Sequence, residues 1–382
     1  MDSALKDRLL PVPMTASKHV DVYSGVARLS GRIWAREVTR SDARPRTAVV
    51  INHPTSNFLG HYLLERLAQT GLAAVGMCTR YVGNDSALLM ENCVLDVDAV
   101  VKYLRRDYTH VVLVGNSGGG GLTPLFQSQA EKPTITSSPG GGGPDLTAAG
   151  MEPADAVILL NGHPSRALLR TEWLDPSISD ESDPFVRDPA LDMFSPANPA
   201  PFAADFVERY RAAQRDRNRR ITAWAKDQLA DISERFGGAL PDFPFVVHGT
   251  TADLRFRDAS IDPNDRQLDT TFWGEPRVAN YLPASLGHFT TLRSWLSQWS
   301  LDDSNSGAHN LSGVSVPIFI ILGTADPTVL PSHADLYTRA IRHNDWERVD
   351  IPGGTHYFEG QPELVDEVAT QIHRWLAQHD MA

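Results

Sequence analysis

His110-Val-Val-Leu-Val-Gly-Asn-Ser-Gly-Gly119 is the stretch that decides the fold. His110–Val114 is a short apolar run rich in valine, the pattern of a strand buried on both faces. It runs directly into Gly115-Asn116-Ser117-Gly118-Gly119, a G-x-S-x-G pattern. The pattern meets a steric need. A chain that turns sharply from strand into helix has almost no room for side chains beside the turning residue. Such a turn lifts the Ser117 hydroxyl above the carboxyl end of a sheet. Gly120 and Gly121 lengthen the glycine run, and a glycine run alone is also what a plain loop contains. The strand in front of it makes the difference.

Working outward, other segments repeat the alternation. Thr47–Asn52, Leu72–Cys78, Ala156–Leu160 and Pro317–Leu322 read as buried strands, and Val20–Val26 with Gly31–Glu37 as a hairpin. Leu59–Thr70 and Asn92–Arg105 carry apolar residues at helical spacing. Strands alternating with helices predict a mostly parallel sheet covered on both sides. Glu131–Pro153, with Gly140 to Gly143, reads as a mobile surface loop. Residues 161–313 break the pattern and hold more than half of the chain's aromatic residues, so they are expected to pack as a unit of their own. Within them, Phe206–Phe236 reads as one or two long helices, and Thr290–Leu301 has helical spacing.

Two further motifs sit beside strand ends. Gly323-Thr-Ala-Asp326 follows Pro317–Leu322, and Gly353-Gly-Thr-His356 follows the short strand Trp346–Ile351. Ser117, Asp326 and His356 therefore occur in the order nucleophile, acid, base, each able to reach one sheet edge. On these motifs the chain resembles the α/β-hydrolase fold superfamily, over about residues 20–160 and 315–380. The resemblance implies an α/β fold with a mostly parallel central sheet flanked by helices. It divides the chain into a core of residues 1–160 and 314–382 and a large, mainly helical inserted cap of residues 161–313. It also implies catalysis by Ser117 as nucleophile, His356 as base and Asp326 as acid. Asp175, which follows the sixth strand but lies well beyond its end, is the less favoured alternative acid.

Members of the superfamily place an oxyanion hole after the third strand. The matching stretch is Asn52-His53-Pro54-Thr55-Ser56-Asn57. Pro54 has no N–H to offer, so the expected donors are the N–H of Thr55 or Ser56 together with that of Gly118. His53 could equally just shape this loop.

His53, Tyr81, His163, Trp173 and Trp295 are the candidates for substrate contact, with Asn84, Asp85 and His288 as weaker ones. Each has a plainer alternative as a packed or loop residue. The arginines from Arg209 to Arg220 could grip an anionic ligand, although such a run is more often a solvated helix face.

The implied activity is hydrolysis of a carboxylic ester or lactone of a mostly apolar small molecule, through an acyl-Ser117 intermediate. The same triad also serves C–C (diketone) hydrolases, amidases and thioesterases, and some receptors keep it with little turnover. Asp-nucleophile relatives are disfavoured by Ser117.

Composition sets the outer limits. With 382 residues, 42% hydrophobic and 21% charged, the chain can bury a full core. A net charge of −12 disfavours nucleic acid and anionic membrane surfaces as partners. Two cysteines, Cys78 and Cys93, make no disulfide scaffold and no zinc motif. No metal or organic cofactor is implied. An N-terminus with early acids and no long apolar core predicts no signal peptide and a cytoplasmic enzyme, possible as a homodimer.

Overall fold

The computed structural model describes residues 4–15, 31–237, 242–282 and 286–382. Eight strands form one sheet: β1 (Leu5–Pro13), β2 (Arg32–Arg40), β3 (Thr47–Asn52), β4 (Ala73–Met77), β5 (His110–Ser117), β6 (Ala156–Gly162), β9 (Ile318–Gly323) and β10 (Trp346–Ile351). Their order is β1-β2-β4-β3-β5-β6-β9-β10. Only β2 runs against the others. The short strands β7 (Pro244–Val246) and β8 (Phe289–Thr291) pair apart from this sheet. The expected hairpin is corrected: β2 pairs with Leu5–Pro13, a largely exposed strand at a sheet edge whose Leu10 and Val12 face the core. Val20–Val26 lies outside the described residues.

The buried strand runs work by period-2 alternation. In β3, Ala48 and Val50 face one side, where Val94, Val97 and Val101 of α2 (Met90–Leu104; α1 is Leu64–Gln69) and Leu122 and Phe126 of α3 (Gly119–Glu131) cover them. Val49 and Ile51 face the other, against Leu64 and Leu67 of α1 and Val368, Ile372 and Trp375 of the C-terminal helix Pro362–Gln378. Both faces are sealed, so the polar strand ends are where chemistry can sit.

The segment between β6 and β9 carries α4 (Arg166–Trp173), α5 (Ala204–Phe236), and its own apolar cluster of Ile221, Ala225, Trp295, Leu296 and Trp299. α5 is a single helix ended by Gly237 in the left-handed conformation. Four of the six arginines from Arg209 to Arg220 are ion-paired, Arg209 with Asp205 and Arg219 with Asp302 at the surface. Arg211 pairs with Asp253 at 2.7 Å, Arg217 with Glu181 at 2.7 Å and Arg219 with Asp302 at 2.8 Å. A buried ion network ties the segment to the sheet domain: Arg255 contacts Glu172 and Asp253, and His333 on Pro331–Ala340 reaches Glu172 at 3.1 Å.

Residues 131–153 are held more firmly than a mobile loop. Ser138 donates to Glu91 at 2.6 Å, and Arg293 donates to the Gly140 carbonyl. Among the described residues no helix is long and apolar enough to cross a membrane.

Candidate active site

Ser117 is the last residue of β5 and has φ +54, a left-handed conformation costly for any residue with a Cβ. The strain persists because the surroundings leave no alternative. A Cβ on Gly115 would lie 2.4 Å from the Gly119 carbonyl oxygen, and one on Gly119 would lie 2.2 Å from that of Asn52. The ladder between β5 and β6 shifts register at Asn116 and Ser117, which aims Ser117 off the sheet edge. Asn116 locks the turn from below. Its Oδ1 accepts from His61 Nε2 at 3.0 Å, and its Nδ2 donates to the Leu160 carbonyl at 2.7 Å.

His356 and Asp326 meet at the ends of β10 and β9. His356 Nδ1 donates to Asp326 Oδ2 at 2.6 Å. Asp326 Oδ1 accepts from the N–H groups of Thr328 (2.8 Å) and Val329 (2.9 Å) and from the Thr328 hydroxyl (3.0 Å). With the proton on Nδ1, His356 Nε2 holds a lone pair. Nε2 is buried and makes no hydrogen bond among the described residues. Asp175, the alternative acid, is engaged elsewhere with Arg187 at 2.7 Å and Asn280 at 2.8 Å.

Sequence reading missed two supports of this pair. Asn161, at φ +41, donates to the carbonyls of Thr355 (3.1 Å) and His356 (2.9 Å) and accepts from the Gly323 N–H at 2.7 Å. It staples the acid strand to the histidine loop. Asn264, from the inserted segment, donates to the Asp326 carbonyl at 2.8 Å. Neither residue lies in a motif. Their only sequence signal is a polar residue at a strand end or in a long insertion.

Ser117 opens into a cavity of about 180 Å³ lined by His53, Thr55, Ser56, Gly118, His163, Arg166, Leu169, Trp173, Phe272, Trp273, Leu286 and Tyr357. His356 stands just behind this wall, with ring centroids 4.9 Å from Phe272, 4.4 Å from Tyr357 and 5.5 Å from His163. Burial pushes the Tyr357 phenol up, and its hydrogen-bonding interaction with the Ser117 side chain draws it back. Larger clefts of about 530 and 570 Å³ lie elsewhere on the surface and contain neither Ser117 nor a triad neighbour.

His53, His163 and Trp173 line the cavity. Tyr81 does not: its hydroxyl accepts from Asn92 at 2.8 Å within the sheet core. Trp295 does not either: it is buried in the inserted segment's own core and donates from Nε1 to Thr222 at 2.9 Å. Apolar bulk at helical spacing led to packing rather than to a pocket wall. Arg166, Leu169, Phe272, Leu286 and Tyr357 were pocket residues that sequence reasoning passed over.

The expected oxyanion donors need correction. Thr55 and Ser56 line the cavity, but both of their N–H groups are used: they donate to His53 Nδ1, at 3.0 and 2.8 Å. Of the donors named from sequence, only the Gly118 N–H is left for an oxyanion.

Three buried histidines surround the site. Burial holds His53 and His163 well below the ordinary imidazole value and lowers His61 to about 4. An unfolded histidine protonates near pH 6.5. As pH falls below 6.5 the unfolded chain therefore binds protons first. The stability these groups contribute is whole above pH 6.5 and is lost as pH falls toward 4. Each adds a slope of up to about 1.4 kcal/mol per pH unit. Calorimetric Tm should drop steeply between pH 6.5 and 5, before most carboxylates titrate. A flat Tm across that window would contradict this account.

No family model matches this chain, and no curated protein matches it significantly. Solved structures similar to it include a Paleococcus ferrophilus monoacylglycerol lipase (13% identity, 91% of this chain and 99% of that one, TM-score 0.46). Others are the esterase domain of a Rhodothermus marinus protein (11%, 98% and 98%, 0.47) and esterase B of Lactobacillus rhamnosis (14%, 98% and 85%, 0.47). The strand order with β2 alone reversed, the strained strand-to-helix turn at Ser117 and the acid and histidine at the ends of β9 and β10 give this chain the α/β-hydrolase fold.

Proposed function

We propose that this protein is a serine hydrolase that cleaves a carboxylic ester or lactone of a small, mostly apolar molecule. The observation that carries the reading is the buried Asp326–His356 pair, with an unpaired Nε2, beside a strained Ser117 that opens into a small, partly open cavity. His356 Nε2 takes the Ser117 proton as Oγ attacks the acyl carbon, and the carbonyl π pair moves onto oxygen. Collapse breaks the bond to the leaving oxygen, which receives the proton from His356. Water, activated by the same nitrogen, then releases the acid from Ser117. Asp326 holds the Nδ1–H tautomer and stabilises the imidazolium.

The cavity supports a small substrate or a short acyl group, since about 180 Å³ is below the roughly 300–1,000 Å³ typical of ligand pockets. Its apolar walls, Leu169, Trp173, Phe272, Trp273 and Leu286, all come from the segment between β6 and β9, which therefore serves as the cap. An ester suits such walls better than a charged or strongly polar leaving group.

The test is labelling with a fluorophosphonate, followed by turnover of aryl esters, lactones, thioesters and 1,3-diketones. Wild type should label, and Ser117→Ala should not. Turnover of the best ester by the variant should fall on the order of 10⁶-fold. A folded wild-type protein that neither labels nor turns over any of these would overturn the reading in favour of a binding protein.

A further inference from the structure

The loop that should supply the second oxyanion donor cannot do so through its backbone. Pro54 has no N–H, and those of Thr55 and Ser56 are both bound to His53 Nδ1. This has a consequence for the imidazole. A nitrogen that accepts two N–H groups carries no proton, so the single proton of neutral His53 sits on Nε2. Full burial, with Arg166 adding repulsion, keeps the ring from taking a second proton. Nε2–H therefore remains a donor with its direction fixed.

That donor reaches the residue after the nucleophile. A Cβ built on Gly118 would lie 2.8 Å from His53 Nε2 and 3.1 Å from Arg166 Nη1. Both side-chain nitrogens thus stand close beside the Cα of Gly118, the residue whose N–H follows the nucleophile, and all three residues line the cavity of Ser117.

Arg166 is oriented for this. Its Nε and Nη2 donate to Gln298 Oε1 at 3.0 and 2.7 Å, and Nη2 reaches Asp85 only at 3.4 Å. Its guanidinium lies 4.2 Å over the Trp299 ring. Gln298 is itself fixed, donating to the Asp85 carbonyl at 2.8 Å and to the Ser294 hydroxyl at 2.7 Å. Gln298 sits in a single π-helical turn, Trp295–Trp299, a geometry that recurs at functional sites. Nη1 has no hydrogen bond among the described residues, although Arg166 is almost fully buried. A buried cation is costly unless its charge is met, and Asp85, at 3.4 Å from Nη2, meets it on one side only. The Nη1 side is left for charge that forms during the reaction.

We infer that the oxyanion hole of this protein is built from the Gly118 N–H together with two side chains, His53 through Nε2–H and Arg166 through Nη1–H. The inference rests on the serine-hydrolase reading and extends it. Neither side chain gives up its proton: both hold hydrogen bonds to the carbonyl oxygen as it gains the π pair and release them when the tetrahedral intermediate collapses. A charged donor in a dry site strengthens as negative charge develops. The interaction is therefore larger in the transition state than in the bound ester and acts on kcat more than on KM.

The experiment uses the full-length protein, uncharged p-nitrophenyl acetate and butyrate, and a phosphonate that mimics the tetrahedral intermediate. Wild type is first labelled at Ser117; absence of labelling overturns the hydrolase reading itself, whatever the variants do. With labelling established, Arg166→Met and His53→Leu are each expected to lower kcat by about 10²–10³-fold, with KM within a few-fold. Arg166→Lys should recover part of the loss. Phosphonate inactivation should slow in parallel with kcat/KM across the series, a correlation that mere loosening of the fold would not produce. If Arg166→Met does not fold, Arg166→Lys and His53→Leu decide the matter. Unchanged kcat on the uncharged esters overturns the inference while leaving the hydrolase intact. So does a loss seen only with esters that carry a carboxylate and expressed in KM, which would make Arg166 a substrate anchor.

Discussion

Asp326→Asn is expected to lower kcat by about 10⁴-fold without unfolding the protein. The reason is the direction in which the amide must sit. Oδ1 of Asp326 accepts from two backbone N–H groups and the Thr328 hydroxyl, so an asparagine would keep its oxygen there. Its NH₂ would then face His356 Nδ1, 2.6 Å from the present carboxylate oxygen. Two donors cannot face each other, so Nδ1 would become the acceptor and the proton would move to Nε2. His356 could then no longer take the proton of Ser117. Steady-state kinetics on the best ester, with rates of fluorophosphonate labelling, check this. A kcat within tenfold of wild type would mean that another acid serves His356.

Arg255→Met is expected to lower stability by roughly 3–5 kcal/mol. Arg255 is buried where the inserted segment meets the sheet domain, and donates to Glu172 (2.5 Å) and Asp253 (2.6 Å). Burial alone would raise Glu172, but Arg255 and His333 overcome it and hold the carboxyl well below the usual range. A group held low contributes stability that is present above its unfolded value and is lost as pH falls through the folded one. Methionine removes the cation and leaves Glu172 buried with His333 as its remaining close partner. Tm by calorimetry at pH 7 should fall on the order of 10 °C. Adding Glu172→Gln should restore part of that loss, because it removes the stranded charge. A Tm within about 2 °C of wild type in Arg255→Met would show the network to be solvated rather than buried.

The strand-end positions of Ser117, Asp326 and His356 were legible because each sits in a local signal. Ser117, Asp326 and His356 each follow a strand run and lie in or just after a glycine-containing turn, so neighbours in the chain announce them. The sheet was legible for a similar reason: an apolar run five or six residues long, buried on both faces, has few alternatives. The supports were not legible. Asn161 and Asn264 act through carbonyls far along the chain, and nothing beside them in sequence marks that partnership. The oxyanion donors misled for a more specific reason. A free N–H and one already bound to a ring nitrogen look the same in sequence, and only the folded loop sets Thr55 and Ser56 against His53.

Trp295 and Arg166 mark the remaining boundary. Trp295 had the size and apolar character of a pocket wall yet became core, while Arg166, on a short helix after β6, turned inward to the cavity. Local periodicity determines which residues of a helix share a face, but not what that face meets. By itself the sequence determined the buried parallel strands, the turn at Ser117 and the order of Ser117, Asp326 and His356 at the strand ends, because short-range sterics and the two-residue strand repeat dictate them. Only the tertiary structure decided which donors remain free, which aromatic rings line the cavity and which buried charges are paired: the first depends on how one short loop folds back on His53, and the others on contacts between residues tens to hundreds of positions apart.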